Sequence, residues 1–480
     1  KLKPERVWEI FYELTRIPRP SKKEQKAMDF ARKFGEDLGL ETIVDKVGNV
    51  IIRKPASPGN ENKMGVILQA HLDMVPQKNS DKKHDFENDP IETIIDGEWV
   101  RADGTTLGAD NGIGAAAAMA VLKSNDLVHG PVEVLLTLDE ETGMTGAFEL
   151  GRGLLKGDIL LNLDSEDEGE LYIGCAGGMN TSAAIEYKEE KVPSGHIAFR
   201  VEVKGLKGGH SGLDIHLGRG NANKLMNRFL WEAGKKLGLR ISSLEGGSLR
   251  NAIPREAFAV ITIPAGKRKE FSDLVAEFNT MFRTEFAGPE PGLQFSAAES
   301  GLPEMIMEQD AQERMIKMVY GIPHGVMRMS ADMPGVVETS TNLAIVNVKD
   351  GKVNALCLIR SAVDSAKLSV GNMTQAVMEL AGAKVSHDGT YPGWKPDVDS
   401  TILKTMTSVY EKKYGKTPEV KVIHAGLECG IIGDAYPNLD MISFGPTIRF
   451  PHSPDEKVNI ETVQKFWDYL TETLKNVPVK

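Results

Sequence analysis

Residues 66–75, VILQAHLDMV, constrain this chain more than any other stretch. The run opens on apolar residues broken only by Gln69 and contains no Pro or Gly. That predicts a strand buried on both faces, not an alternating half-exposed one. It stops on a histidine and an aspartate one residue apart. Side chains at i and i+2 of a strand point the same way, so His71 and Asp73 leave the strand end together, with Asp73 set to orient the imidazole. Imidazoles that bind a metal ordinarily rely on such an acceptor.

An apolar run meeting a polar loop would look the same in isolation, but the pattern recurs. Residues 132–138 (VEVLLTL) run into Asp139-Glu140-Glu141, and residues 159–163 (ILLNL) into Asp164. The weaker run 441–448 (MISFGPTI) leads to Pro451-His452-Ser453. Asp110 stands just before a small-residue helix over 112–122, where Asp is also a favoured N-cap. In open α/β sheets, ligands bind at the edge where strands end and helices begin. These side chains therefore predict one site assembled from distant parts of the chain.

A chain of 480 residues is too long for one core, so two domains are expected. Its 57 basic against 68 acidic residues leave a formal charge of −11, and no basic run occurs, which argues against nucleic-acid binding. No apolar stretch approaches the ~20 residues of a membrane span. The opening KLKP has no apolar core of a secretory signal. Cys175, Cys357 and Cys429 are widely spaced and fit a reducing compartment, not a thiolate zinc site or a disulfide frame. A cytoplasmic protein is expected.

Taken in order, Val7, Ile10, Phe11 and Leu14 predict a helix stopped by Pro18 and Pro20. Ser21-Lys22-Lys23-Glu24 has the form of a capping box opening a second helix. Hairpins are expected at Gly48-Asn49 and Asp96-Gly97. Residues 166–170 (EDEGE) read as a solvated acidic turn. Beyond about 188 the order becomes strand, helix, strands, helix, and then much the same again, the second round opening at 294–298. The chain thus reads as an α/β catalytic domain with a mixed, largely parallel sheet flanked by helices, built from 1–187 and 391–480. It is interrupted by an inserted α+β domain over 188–390, with YPGWKP (391–396) as the return linker.

His71, Asp110, Glu140, Glu141, Asp164 and His452 form a set of imidazoles and carboxylates without thiolate, which suits zinc, cobalt or manganese. Two histidines and three carboxylates can hold two metals, one His on each and one carboxylate shared. Such a pair, ~3.5–4 Å apart, activates a water and polarises a carbonyl. One acid must stay unligated to take the water's proton. Glu140 and Glu141 supply both roles, because neighbours in an extended chain point apart.

The motifs His71-x-Asp73, GADNG (108–112), DEETG (139–143), Asn162-x-Asp164-Ser165 and Pro451-His452-Ser453 resemble the ligand motifs of the co-catalytic zinc peptidases. That family includes carboxypeptidase G, aminoacylase, peptidase T and the dipeptidases. Longer strings are similar to its bacterial aminoacyl-histidine dipeptidase branch: LQAHLDMVPQKN (68–79), GLKGGHSG (205–212), LRNAIPRE (249–256) and VIHAGLECG (422–430). The likeness covers essentially the whole chain. It implies hydrolysis of dipeptides, including Xaa-His such as β-alanyl-histidine. It implies two divalent ions per subunit (zinc, with cobalt or manganese as alternatives), and a homodimer whose inserted domain serves as lid and dimerisation domain. Asp110 would bridge the metals, and His71, Glu141, Asp164 and His452 would complete the shells, with Glu141 and Asp164 not assigned between them. Glu140 would be the general base and Asp73 the orienter of His71. A cis bond is implied at Asp110-Asn111. His210 would hold the oxyanion and Asn251 touch substrate, while Arg360, at the end of an apolar strand, would offer a fork to the terminal carboxylate. Glu428 is a candidate for the substrate amine, and His424 has no assigned role.

The nearest rival is a relative with the same metal centre acting on tripeptides or N-acyl amino acids, which the metal motifs do not separate. A non-catalytic binding protein on the same scaffold would have no need of an unligated Glu140. A metallophosphatase would require phosphate-binding loops.

Overall fold

Val66–His71 is a strand in which every residue is buried, as its unbroken apolar run requires. In the computed structural model, which describes residues 2–480, it lies in an eight-stranded sheet. In chain order the strands are β1 (Glu41–Val44), β2 (Val50–Lys54), β3 (Val66–His71), β4 (Val132–Thr137), β5 (Ile159–Asn162), β6 (Glu170–Cys175), β7 (Glu419–Ile423) and β8 (Asp440–Ser443). Their spatial order is β1-β2-β4-β3-β5-β8-β6-β7. The central strands β4, β3, β5 and β8 are parallel, and β1, β2 and β6 pair antiparallel at the flanks. The sheet is mixed and largely parallel at its centre, as expected.

Parallel pairing puts the C-terminal ends of four strands on one edge, and the register sets them level. His71 pairs with Thr137 and Gln69 with Asn162, so Asp164, two residues past Asn162, comes level with His71. The helix Ala109–Lys123 packs on β3 and on Glu5–Thr15. Its run of alanines leaves it buried through Leu122, and a small-residue helix of this kind lets the sheet approach closely.

A second small sheet orders Ile448–Arg449, Lys457–Asn459, Trp99–Ala102 and Thr93–Asp96. Its inner strand belongs to the expected Asp96-Gly97 hairpin, in which Asp96 pairs with Trp99. The loop between its two C-terminal strands carries His452.

These elements belong to a first unit, Lys1–Gly174 with Trp394–Val422 and Leu427–Lys480. A second unit comprises Cys175–Gly393 and Ile423–Gly426. The boundary therefore falls before 187. Gly177–Glu186 is buried over its first five residues, alternates only toward its end, and pairs antiparallel along Lys352–Ser361 in the second unit's own sheet. The texture change read at about 188 marks the short charged strand Glu189–Lys191 that follows, not the start of the unit. The strand Gln294–Ser300, expected to open a second round, pairs instead with His196–Lys204 at the sheet's edge. The second unit's core is a continuous apolar cluster that includes Phe229, Phe271, Phe278, Phe282 and Phe295.

Among the described residues no helix is long and apolar enough to cross a membrane.

Candidate metal centre

The C-terminal edge of the parallel strands collects His71, Asp73, Asp110, Glu140, Glu141, Asp164 and His452. Asp110 is the hinge of the arrangement. Its Oδ1 lies 3.1 Å from His71 Nε2 and its Oδ2 3.0 Å from His452 Nε2. One carboxylate thus faces two imidazoles supplied by opposite ends of the chain. His71 Nε2 is also 3.5 Å from Asp164 Oδ1, and His452 Nε2 is 2.9 Å from Glu141 Oε2. Glu140 stands further back, its Oε2 3.8 Å from His71 Nε2. His71, Asp110 and Glu141 each offer a ligand atom, all within 4.8 Å of one another.

Local structure explains these aims. Asp110 does not cap its helix; the N-cap is Gly108, in the left-handed region, and no side chain caps the helix. The Asp110-Asn111 bond is cis. Asn111 then ties two strands to the helix start: its Oδ1 accepts from His71 N at 3.1 Å and its Nδ2 donates to Leu163 O at 2.7 Å. Asp139 takes a positive φ of 50°, turning the chain off β4 into one helical turn, Glu140–Gly143; the extended chain expected at Glu140-Glu141 is absent, and successive side chains are separated by the ~100° step of a helix instead.

Asp73 does more than orient one ring. Its Oδ1 lies 3.1 Å from His71 Nδ1, and it accepts from the backbone N–H groups of Glu140 (2.9 Å) and Glu141 (3.2 Å). Ser21 Oγ donates to its other oxygen at 2.7 Å. Ser21 and Glu24 are the expected capping box, and here the structure differs. The helix Gln25–Asp37 has no side-chain cap, and Glu24 Oε1 accepts from Asp139 N at 2.6 Å instead. A buried turn with orphan donors competes with a helix end for the same oxygens, and the turn wins.

Burial, opposed by His71, holds Glu140 and Asp164 well above the usual carboxylate range. Glu141 and Glu428 are pushed up by burial as well. Asp110 is held far below that range: burial opposes this, but hydrogen bonds from His452 and His71 prevail. The same contacts, with Glu141, lift His452 to about 11. Carboxylates here (Asp73, Asp110, Glu140, Glu141, Asp164, Glu428, Glu456) outnumber the cationic groups His71, His452 and Arg19. Burial holds several of these carboxylates toward the neutral form, and ionising so many together calls for added cations. The donor spacing also fits: bonds of ~2.0–2.1 Å in tetrahedral geometry put ligand atoms ~3.3 Å apart, and the separations here are 2.9–3.5 Å.

The turn read as solvated is in fact paired. Asp167 bridges to Arg449 at 2.8 Å, Glu168 accepts from Tyr410 OH at 2.7 Å, and Glu170 accepts from Tyr172 OH at 2.7 Å. Arg19, Ser21 and Glu456 were missed as site residues. Arg19 sits in Ile17-Pro18-Arg19-Pro20, where the prolines read only as a helix stop, and Glu456 sits in a charged run with no periodic signal.

His210, Asn251 and Arg360 lie in the second unit, gathered around Ser211. Ser211 N donates to Asn251 O at 2.9 Å, and Arg360 Nε and Nη2 each lie 3.2 Å from Ser211 Oγ. His210 pairs with Ala252 across a two-residue ladder. Arg360 is 4% exposed and donates to Tyr391 OH at 3.1 Å; among the described residues no carboxylate pairs with it. His424 joins this cluster through its Nε2, 2.7 Å from Ser340 Oγ, and its Nδ1 has no partner.

Comparison with known proteins matches residues 67–476 to the model of peptidase family M20/M25/M40. The chain belongs to this family. It is 48% identical over 480 residues to the cytosol non-specific dipeptidase of Escherichia coli (strain K12), covering all of this chain and 99% of that protein. The crystal structure of aminoacylhistidine dipeptidase from Vibrio alginolyticus superposes with a TM-score of 0.96 at 51% identity, covering 100% and 98% of the two chains. The aminopeptidase PepT of Bacillus cereus shares the fold at 17% identity, with a TM-score of 0.58 over 99% of each chain.

Proposed function

We propose that this M20-family peptidase is a metal-dependent dipeptidase whose substrates include Xaa-His dipeptides such as β-alanyl-histidine. The observation that carries this reading is Asp110, one carboxylate facing two histidines from distant segments. The likeness to two full-length dipeptidase relatives supports the substrate class.

His71, Asp164 and Asp110 would hold one divalent ion, and His452, Glu141 and Asp110 a second. The pairings His71 with Asp164 and His452 with Glu141 support this division. When bound, two such ions, zinc or else cobalt or manganese, acidify a water and polarise the scissile carbonyl. Glu140 stays out of both shells, takes the proton of the attacking water and returns it to the leaving amine. Its buried surroundings, which disfavour the charged carboxylate, suit a group that must carry a proton between two partners. Asp73 fixes His71 in the tautomer that turns an unprotonated Nε2 toward Asp110, and through the Glu140 and Glu141 amides it holds the base-bearing turn in step with that ring.

His210 is assigned as donor to the carbonyl oxygen as charge builds on it. Its Nδ1 accepts from Gly212 N and Leu213 N at 3.1 and 3.0 Å, so the ring proton sits on Nε2, free to donate. Burial, then Arg360, lowers its pKa to about 4, which keeps it a neutral donor at neutral pH. Arg360 is assigned to the dipeptide's terminal carboxylate and Asn251 to a neighbouring substrate contact. The second unit is read as lid and dimerisation domain of a homodimer; exposed Leu213, Leu217 and Leu249 support a protein partner on this unit. The protein is assigned to the cytoplasm, in keeping with the net charge and the buried cysteines.

The test is hydrolysis of β-alanyl-histidine, plain dipeptides, a tripeptide and an N-acetyl amino acid by protein loaded with zinc or cobalt. Metal-dependent cleavage confined to dipeptides is expected. Preference for the N-acetyl compound would sink the substrate assignment while leaving the metal centre standing.

A further inference from the structure

Glu456 lies four residues past His452, in the loop joining Ile448–Arg449 to Lys457–Asn459, and is 2% exposed. No cationic side chain among the described residues pairs with its carboxylate. All of its hydrogen bonds instead come from one short stretch of backbone. Oε1 accepts from Leu107 N at 2.8 Å and Gly108 N at 2.9 Å, and Oε2 accepts from Asp110 N at 3.1 Å. Converging amides of this kind form an anion-binding nest, here filled by the protein's own side chain.

The same stretch is held at its carbonyls by Arg19, which is 1% exposed. Arg19 Nη2 donates to Gly108 O at 2.7 Å and Nη1 to Leu72 O at 2.8 Å, linking the approach to Asp110 with the segment between His71 and Asp73. The guanidinium is packed against both glycines that flank Asp110-Asn111. A Cβ on Gly108 would meet Nη2 at 2.5 Å and one on Gly112 would meet it at 2.6 Å. Gly108 also has a φ of 73°, which an L side chain disfavours. The loop is thus shaped to admit this arginine, and a lysine's point charge does not reproduce its two-pronged reach.

Burying a carboxylate and a guanidinium that attract each other through space but make no hydrogen bond to each other costs stability, and apolar filling is often as stable. Glu456 makes all of its hydrogen bonds to the peptides that lead into Asp110, and Arg19 ties those peptides to the His71–Asp73 segment. We infer that Glu456 and Arg19 are positioning residues that set the Asp110 carboxylate midway between His71 and His452, and that Glu456 couples the His452 loop to the Asp110 loop. Neither touches substrate. The inference rests on the reading of Asp110 as the shared metal ligand.

Cobalt(II) is the probe, because its visible absorption reports ligand geometry without turnover. Wild type, Glu456→Gln, Arg19→Lys and Tyr436→Phe are compared. Tyr436 bonds the Gly151 and Leu154 backbone elsewhere in the first unit and serves as a control for general loss of stability. Each metal-free protein is melted, then titrated with cobalt in competition with a chromophoric chelator. Glu456→Gln and Arg19→Lys are expected to weaken cobalt binding ~10–100-fold, the usual range for lost outer-shell partners, and to shift the visible bands. Tyr436→Phe should lower the melting temperature and leave affinity and bands as in wild type. Wild-type affinity and bands in both variants, with lower melting temperatures only, would overturn the inference and leave the metal centre intact. If Glu456→Gln does not fold, Arg19→Lys decides alone. Failure of wild type to take up cobalt would overturn the reading of Asp110, and the inference with it.

Discussion

The two polar clusters of this protein are opposites. The first unit gathers carboxylates on the edge of a parallel sheet, with only His71, His452 and Arg19 against them. The second gathers Arg360 and His424 on hydroxyl partners and His210 on backbone amides, with no carboxylate on the arginine among the described residues. Each cluster is unbalanced, in contrary senses. In the first, burial drives carboxyls toward the neutral form; in the second, burial drives imidazoles toward it, His424 to about 3 and His210 to about 4. A protein that kept both only for stability would gain by neutralising each within itself. Under the proposed assignment the first suits cations and the second an anion, a division of chemistry from recognition.

That division can be broken most decisively at the base. Glu140→Gln should cut kcat by ~10²–10⁴ while metal content, read by atomic emission, stays at the wild-type level. Loss of metal together with activity would make Glu140 a ligand and dissolve the distinction between it and Glu141. In the other cluster, Arg360→Lys keeps the charge but not the fork. It should raise KM roughly 10–100-fold for dipeptides, as the loss of a charged hydrogen bond costs about 1.5–3 kcal/mol. Dipeptide amides, which have no terminal carboxylate, should be hydrolysed much as by wild type. An equal loss on both substrates would show that Arg360 only supports the fold.

Acid should act on the second unit through its buried histidines. His324, lowered to about 4 by burial and by Lys224, has a Nδ1 that accepts from Leu343 N at 3.2 Å. The unfolded chain protonates such a ring below about 6.5, the folded one only below about 4. Between those values the unfolded state binds more protons, so stability falls as pH falls, by up to ~1.4 kcal/mol per pH unit for each such histidine. His324→Asn should flatten this slope in urea melts run from pH 7 to pH 5; an unchanged slope would rule out His324 as a source of it. The smallest effect is expected at Ser21. Ser21→Ala removes one hydrogen bond to Asp73 and should lower kcat/KM about fivefold, ~1 kcal/mol, without loss of helix content by circular dichroism. A loss of helicity would restore the capping-box reading.

What could be read in advance followed from period and chemistry. The apolar runs of β3, β4 and β5 announce buried parallel strands, and an acid or histidine at the end of each announces a shared edge. The register that brings Asp164 level with His71 is a property of pairing, which no single run records. Ser21 and Glu24 misled because a local pattern was read as serving local structure, while Asp73 and Asp139 made the stronger claim from far along the chain. Glu168 and Glu170 looked solvated because Tyr410 and Lys421, which reach them, come from far along the chain. Gly177–Glu186 was assigned to the wrong unit because a strand's own sequence does not say which sheet it joins.

The hairpin loop bearing His452 and Glu456 has a consequence for how the protein is made. A ribosome finishes the 66–164 region, with three of the strands that frame the centre, long before it reaches this loop. Until then Asp110 faces one imidazole instead of two, and its backbone amides have no carboxylate to hold them. The cluster around Asp110 is therefore incomplete until residues 452–456 have been made, and a chain that stops before them keeps the early strands without acquiring it. For a peptidase, this order of assembly acts as a timer, withholding the second imidazole from any copy in which residue 452 has not yet been made.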